Sequence, residues 1–156
     1  LLDKTDFDIN QVIRNTASTF EGTCHNKSIA IEMILTGNEM YVHADMGKIQ
    51  QVLYNLMDNA IKFTPDGGVI RMSVRVNQGI CTVIVQDNGV GISPEDRPHV
   101  FERFYTADKA HTSGKGTGLG LSICQRIMEM HGQKITLMDT SDEAGAALAF
   151  TLDCAE

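Results

Sequence analysis

The chain of 156 residues lacks the features that mark several classes of protein. Its 20 acidic side chains outnumber 13 basic ones, so the formal net charge is −7 and no broad basic field exists to hold nucleic acid or anionic lipid. No run of 18 apolar residues occurs, and no basic-then-apolar signal segment opens the chain. Any anion that the protein binds must therefore be held by local donors.

Cysteine is sparse, and its spacing matches no metal motif. Cys24, Cys81, Cys124 and Cys154 are scattered, and no C-x-x-C occurs. This pattern predicts buried thiols in a reducing compartment. A chain of this length buries roughly 70% of the surface of its unfolded form and needs no disulfide. We expect one domain over residues 1–156, and a chain that begins with Leu rather than Met suggests a piece of a longer polypeptide.

Apolar periodicity predicts helices alternating with pairs of strands. Asp8 and Asp45 are expected to cap the first two helices, and Thr36-Gly37-Asn38 is a hairpin signal. One layer of helices over a mixed sheet fits this order, whereas a doubly wound fold would need strict βαβαβ alternation. The predicted elements are an extended lead-in at 5–8, helices at about 9–23, 46–63 and 117–131, and strands at 29–35, 40–44, 69–76, 80–86, 134–140 and 146–152.

The second predicted helix carries a polar stripe opposite its apolar face. At about 100° per residue, Asn59 and Lys62 fall within roughly 40° of Asn55, and Lys48 and Gln51 extend the stripe. A solvated face is the plain alternative, but two asparagines one turn apart have poor helix propensity. Carboxamide oxygens suit Mg²⁺ and add no negative charge beside a triphosphate. The stripe predicts Asn59 as a metal ligand, Asn55 as its helper and Lys62 as a phosphate contact.

An acid followed by two glycines ends the strand at 80–86, which is nearly all apolar and so expected to be central. Asp, Asn and Gly also favour an ordinary turn, which is the alternative. As a binding group, Asp87 would accept from an exocyclic amine such as the adenine 6-amino group, and the carbonyl of guanine would face a carboxylate. Gly89 and Gly91 would let backbone and base approach closely.

A glycine-dense loop, Gly114-Lys-Gly-Thr-Gly-Leu-Gly120, runs into the third predicted helix. It contains no Gly-Lys-[Ser/Thr] and follows no strand in the dinucleotide-binding manner, so neither a Walker loop nor a Rossmann fingerprint is indicated. Free N–H groups at a helix N-terminus bind phosphate, and Thr117 can cap this helix. A flexible linker would not lead straight into an apolar helical pattern.

Together these segments resemble the catalytic and ATP-binding domain of sensor histidine kinases of two-component signalling, in the GHKL superfamily. Residues 55–64 match the N box, 87–92 the first glycine box, 100–105 the F box and 116–123 the second glycine box. The resemblance covers nearly the whole chain, from about Phe7 to Leu152. It implies a Bergerat-type two-layer α/β sandwich, in which three helices cover one face of a mixed sheet, with a mobile lid at 93–113.

The resemblance also implies ATP and Mg²⁺ as cofactors. It assigns catalytic roles to Asn55, Lys62 and Arg103 and metal contacts to Asn59 and Asn55. The residues that it assigns to the nucleotide are Asn55, Asn59, Lys62, Phe63, Asp87, Gly89, Gly91, Ile92, Phe104, Gly116, Thr117, Gly118, Leu119, Gly120 and Leu121.

Some features depart from the family pattern. Thr106 follows Tyr105 where the family often has Arg, and Lys109 or Lys115 could replace that phosphate contact. Residues 145–150 match the last glycine region only loosely and could form a simple hairpin. None of the histidines lies in a Ser-His-Glu-Leu-Arg-like segment; they are His25, His43, His99, His111 and His131. The phosphoacceptor is therefore expected on a separate histidine-bearing dimerisation domain, absent from this chain.

The resemblance implies transfer of the γ-phosphate of Mg-ATP to that histidine, with a response regulator downstream. Asn55 is consistent with transfer to a histidine and not to water. ATP-hydrolysing relatives such as gyrase carry Glu at this place to take a proton from the attacking water, and an amide cannot accept a proton from water. Two alternatives stay open: an anti-sigma-type protein-serine kinase, and an adenine nucleotide-binding module without transfer activity. We expect a cytoplasmic domain that contacts neither nucleic acid nor membrane, whether or not its parent protein spans a membrane.

Overall fold

The computed structural model describes residues 1–105, 120–140 and 144–156. Within these ranges three helices lie over one mixed sheet of seven strands, so the predicted two-layer α/β sandwich is confirmed. None of the helices described there is both long and apolar enough to cross a membrane. The elements are β1 (Thr5–Asp8), α1 (Ile9–Asn26), β2 (Ala30–Ile34), β3 (Tyr41–Ala44), α2 (Met46–Phe63), β4 (Val69–Asn77), β5 (Ile80–Asp87), a 3₁₀ turn (Arg97–His99), α3 (Gly120–Met130), β6 (Ile135–Met138) and β7 (Ala147–Cys154).

Both long helices begin at the predicted caps. The Asp8 carboxylate accepts from the backbone N of Asn10 at 3.0 Å, and the Asp45 carboxylate accepts from that of Lys48 at 3.3 Å. Such caps satisfy N–H groups that have no partner within the helix. The bounds of α2 are those predicted, and its apolar stripe is buried against the sheet and the other helices at Ile49, Val52, Leu53, Leu56, Met57, Ala60 and Ile61.

The sheet order is β1-β3-β7-β5-β4-β2, and β6 pairs with β7 beyond this path. β5 lies between β7 and β4, so the prediction that this apolar strand is central is confirmed. β4 and β5 form an antiparallel hairpin through Gln78 and Gly79, whose φ angles are +51° and +78°. Two consecutive positive φ angles characterise the turn that matches strand twist. Asp87 therefore stands at the end of a strand that is fixed on both sides.

The predicted hairpin between 29–35 and 40–44 is wrong. β2 pairs in parallel with β4, whereas β3 pairs with β1 and β7, four strand positions away. Four spacings amount to about 19 Å, which six extended residues can just span. The crossing is held by the buried Asn10, whose amide donates to Thr36 O at 3.1 Å. A turn signal is local and cannot tell a hairpin from a crossover.

The end of α3 is fastened to the beginning of α2 through His131. Its Nδ1 lies 2.8 Å from Ile127 O, and its Nε2 accepts from the backbone N of Asp45 at 3.1 Å. Nδ1 is therefore the donor to the carbonyl, and Nε2 is the acceptor of the backbone N–H. The imidazole is only 8% exposed. His131 is thus a packing residue that joins two helices.

The predicted buried thiols are largely confirmed. Cys24, Cys81 and Cys124 are buried, Cys154 is half-buried, and all four are free. Burial raises the pKa values of Cys81 and Cys124 to about 12. A thiol with so high a pKa carries almost no thiolate at neutral pH and is a poor nucleophile.

Candidate nucleotide site

The polar stripe of α2 exists as predicted, and it faces the start of α3. Asn55, Asn59 and Lys62 are partly exposed on one side of the helix. The Asn55 amide donates to Gly120 O at 3.4 Å, a weak bond that joins the middle of α2 to the first residue of α3. The start of α3, where the predicted phosphate loop ends, therefore lies beside the Asn55 carboxamide.

Lys62 has a partner that sequence reasoning did not include. Its Nζ lies 3.0 Å from Asp58 Oδ2, one helical turn earlier. Acid and base four residues apart on a helix commonly pair, so the signal was present in the sequence. Both side chains remain partly exposed, so this ion pair is weak and Lys62 can exchange Asp58 for another anion.

Asp87 is a buried carboxylate, only 7% exposed. Within the described residues both of its accepted hydrogen bonds go to Oδ1, from Gly89 N at 2.8 Å and from Ala146 N at 3.4 Å. Burial raises the pKa of Asp87, and the two backbone donors partly oppose this shift. Among the described residues no cation pairs with Asp87, so its burial is unfavourable for the unliganded chain, and a carboxylate kept in such a place is a candidate binding group.

Two glycines let other backbone segments close around the Asp87 turn. A Cβ on Gly89 would lie 2.2 Å from Phe63 O, at the end of α2. A Cβ on Gly145, where φ is +94°, would lie 1.9 Å from Asp87 O. The turn is therefore packed between the end of α2 and the segment that leads into β7. Sequence reasoning gave Gly145 only a loose family match, and the structure makes it and Ala146 part of the support of Asp87.

Asn88 and Gly68 complete this support, and neither was singled out from the sequence. Asn88 Oδ1 accepts from Val69 N at 2.8 Å, and Asn88 N donates to Val69 O at 3.2 Å. A Cβ on Gly68 would meet Thr64 Cγ2 at 2.3 Å and Asn88 Oδ1 at 2.9 Å. The loop after α2 and the Asp87 turn are thus packed against each other. Such contacts join residues about 20 positions apart and leave no local pattern in the sequence.

The described part of the F box is packed at its base and exposed at its tip. Val100 is buried and Phe101 packs on the main core. Phe104 is 68% exposed at a φ of +63°, and the Arg103 guanidinium lies 5.5 Å from its ring centroid. The Tyr105 hydroxyl donates to Asp96, and this bond raises the pKa of Tyr105 to about 12. The nucleotide contacts predicted for Arg103 and Phe104 stay predictions.

Much of the predicted phosphate-binding segment falls outside the described residues. Gly116, Thr117, Gly118 and Leu119 lie there, as do Thr106, Lys109 and Lys115. Of the rest, Leu121 packs partly on the core, Ile92 is partly exposed, and Gly91 has a φ of +78° with its Cβ position 3.2 Å from Gly145 O.

The donor set near the stripe suits a metal that is shared with phosphate. Among the described residues no group of three or more His, Cys, Asp or Glu side chains is placed to hold a metal ion. Mg²⁺ does not need such a cage, because it keeps several waters and borrows phosphate oxygens. The carboxamides of Asn55 and Asn59 fit that requirement. A cavity of about 360 Å³ is lined by Asp87 and Asn88 at the turn, and also by Glu32, Arg71 and Gln86, which lie on the face of the sheet opposite the helices.

The sequence and the fold are both similar to those of known proteins. The family described as histidine kinase-, DNA gyrase B- and HSP90-like ATPase matches residues 44–156. The chain belongs to this ATPase family. Binding of ATP follows from membership. The match includes α2, the Asp87 turn and α3, which are the elements that build the site.

Relatives of the chain within the ATPase family include sensor histidine kinases. The chain is 36% identical over 159 residues to the sensor histidine kinase WalK of Bacillus subtilis, covering 96% of this chain and 26% of that protein. It is 43% identical over 109 residues to the sensor protein SrrB of Staphylococcus aureus, covering 69% of this chain and 18% of that one. The chain spans about a quarter or less of the length of these curated relatives.

Solved structures that are similar to this chain are also histidine kinases. The catalytic domain of histidine kinase ThkA has a TM-score of 0.86 at 31% identity, with 97% of this chain and 96% of that chain covered. Full-length ShkA in complex with AMPPNP has a TM-score of 0.86 at 28% identity, covering 99% of this chain and 32% of that one. This member of the ATPase family is therefore similar, over its whole length, to the catalytic domain of histidine kinases.

Proposed function

We propose that this chain is the ATP-binding kinase domain of a sensor histidine kinase, which transfers the γ-phosphate of Mg-ATP to a histidine on a separate dimerisation domain. The observation that carries the proposal is the buried Asp87 carboxylate, which accepts from the backbone N–H groups of Gly89 and Ala146. The Asp87 turn lies beside the end of α2, and the polar face of that helix presents Asn55, Asn59 and Lys62. These groups complement a purine at one end and a charged phosphate tail at the other.

Asp87 would select the base. Its second carboxylate oxygen would accept from the adenine 6-amino group, and a 6-carbonyl would be repelled there. Gly89 and Gly91 would allow the ring to approach the backbone, and Phe63 at the end of α2 would pack on the base. Ile92 and Phe104 would add apolar contact. A charge-assisted hydrogen bond of this kind contributes about 1.5–3 kcal/mol.

The polar stripe of α2 would bind the phosphate groups of ATP. Asn59, helped by Asn55, would ligate Mg²⁺, which supplies charge neutralisation when bound. The phosphates would draw Lys62 away from Asp58, and Arg103 would contact them from the lid at 93–113. Residues 116–121 would offer backbone N–H groups at the start of α3, where the helix dipole favours negative charge.

Asn55 would also keep the rate of ATP hydrolysis by the domain low. An amide cannot take a proton from water, whereas a histidine nucleophile needs no strong base. We expect Asn55→Glu to raise ATP hydrolysis by the isolated chain, on the order of 100-fold for an added general base. The measurement is steady-state phosphate release. Gln51→Glu, the same charge change one turn earlier on the stripe, should leave the rate unchanged; brisk hydrolysis by the unmutated chain would contradict this role of Asn55.

The decisive experiment is a transfer assay. The chain is mixed with the histidine-bearing dimerisation domain of its parent protein, Mg²⁺ and ATP labelled in the γ-phosphate. We expect acid-labile label on the dimerisation domain, lost when Mg²⁺ is chelated and lost with Asp87→Asn. Acid-stable label on a serine would instead favour the anti-sigma type of kinase. Nucleotide binding with no transfer would reduce the chain to a binding module.

The parent protein would pass the phosphoryl group to a response regulator. A complex of histidine kinase ThkA with the response regulator TrrA has been solved, and this chain matches that kinase with a TM-score of 0.83 at 30% identity, covering 42% of it. The net charge of −7 gives the domain no basic field for nucleic acid or membrane surfaces, which suits a cytoplasmic position within the parent.

A further inference from the structure

Lys27, which follows α1, makes an unusual connection to the other long helix. Its Nζ donates to Ile61 O at 2.8 Å and to Thr64 O at 3.1 Å. Ile61 lies in the last turn of α2 and Thr64 is the C-cap, and at this end of a helix backbone acceptors lack partners within the helix. A cation there also complements the negative end of the helix dipole. The side chain of Lys27 is half-buried, so its ammonium is a built-in cap of α2 and not a solvated surface charge.

The backbone of the same residue holds two further segments. Lys27 N donates to Cys24 O at 3.2 Å and so ends α1, and Lys27 O accepts from Gly67 N at 2.9 Å. One residue therefore fixes the end of α1, the last turn of α2 and the turn at 65–67. A shift of any one of these three segments would therefore be passed to the other two directly through Lys27.

The segment that Lys27 holds, residues 61–68, also packs against the Asp87 turn. The Cβ position of Gly89 is 2.2 Å from Phe63 O, and Gly68 is packed between Thr64 and Asn88. Close-packed backbones transmit displacement, because no void is available to absorb it. A shift of residues 61–68 would therefore move the Asp87 carboxylate.

We propose that Lys27 is a positioning residue for adenine recognition: its ammonium fixes the last turn of α2, and that turn sets the place of the Asp87 carboxylate. The proposal rests on the proposed function, because it assumes that Asp87 accepts from the base. Lys27 itself touches no nucleotide in this scheme. It acts through the last turn of α2, which also carries Lys62, so its effect on the base is seen as a change in the preference between two nucleotides that differ only in the base.

The test compares ATP with inosine triphosphate, which replaces the 6-amino group by a carbonyl and keeps the phosphates. Affinities are measured by calorimetry with Mg²⁺, well below the melting temperature of every variant. We expect Lys27→Met to lower the preference for ATP over inosine triphosphate about tenfold, the value of one misplaced charge-assisted hydrogen bond, because a shift of Lys62 or Phe63 affects both nucleotides and cancels in this ratio. Lys27→Arg, which keeps a cationic donor, should recover most of the ATP affinity. Lys134→Met removes an exposed lysine and should change neither.

The outcomes separate the two ideas. If the unmutated chain binds both nucleotides alike, base selection by Asp87 is wrong and the proposed function loses its main support. If the unmutated chain prefers ATP and Lys27→Met keeps that preference, only the role of Lys27 is overturned. Equal weakening of both nucleotides would also overturn it, because it would mean a general loss of structure. Thermal unfolding of each variant shows whether it is folded at the temperature of the titration.

Discussion

Asp87→Asn should yield a nucleotide-free chain that melts at a higher temperature at pH 7 than the unmutated one, and that has lost most of its affinity for ATP. Asparagine keeps an oxygen for the Gly89 and Ala146 N–H groups, and it removes a carboxylate whose burial is unfavourable. Each kcal/mol regained raises the melting temperature by about 2–4 °C in a chain of this size. The lost bond to the base should weaken ATP about 10- to 100-fold.

The stability gain should depend on pH in a defined direction. Burial raises the pKa of Asp87 above its usual 3.8 in the folded chain, so folding favours the protonated form. The stability of the unmutated chain that depends on this group is present below about 3.8 and is lost as pH rises through the raised value. The advantage of Asp87→Asn should therefore be absent at the acidic end, grow across this window and stay constant above it.

Thermal unfolding by circular dichroism over a series of pH values measures the gain, and calorimetry measures the affinity. The matched control is Asp66→Asn, the same change at an exposed carboxylate in the loop after α2, which should alter neither. A variant at position 87 that melts lower than the unmutated chain at pH 7 would mean that the carboxylate stabilises the fold, and a function in base recognition would no longer be needed to explain its burial.

Gly145→Ala is expected to destabilise the chain more than any other single methyl addition at a described glycine. Its Cβ would lie 1.9 Å from Asp87 O and 2.6 Å from Asp87 C, which are backbone atoms and cannot rotate away. The φ of +94° adds backbone strain. We expect a loss of about 3 kcal/mol or more in the free energy of unfolding. Where the variant still folds, ATP binding should fall as well, because the Asp87 turn is displaced.

Two other glycines provide controls for Gly145→Ala. Gly132 has a φ of +68° with nothing within 4 Å of its Cβ position, so Gly132→Ala isolates the backbone term, about 1–2 kcal/mol. Gly22 lies inside α1 with open space around it, and Gly22→Ala should stabilise by about 0.5–1 kcal/mol. Urea unfolding gives all three values. If Gly145→Ala costs no more than Gly132→Ala, the segment before β7 is not packed on Asp87 as described.

Most of the helices and strands could be predicted because their signals are local. The bounds of α2 follow from the Asp45 cap, the apolar period and the Pro65 stop, all within 21 residues of one another. The β4–β5 hairpin follows from a two-residue turn. The error came at residues 35–40, where β2 and β3 join distant positions of the sheet, because the choice between hairpin and crossover depends on which strands lie between them.

The amino-acid sequence by itself determined the chemistry of the site: a carboxylate after a central strand, carboxamides at helical spacing, and glycines before a helix. Those properties depend on residue type and on spacings of one or two turns. Only the tertiary structure decided what holds these groups in place, namely Gly145 and Ala146 against Asp87, Lys27 on the last turn of α2, and His131 between two helices. Each of these contacts joins residues more than 30 positions apart, so only chain folding brings them together.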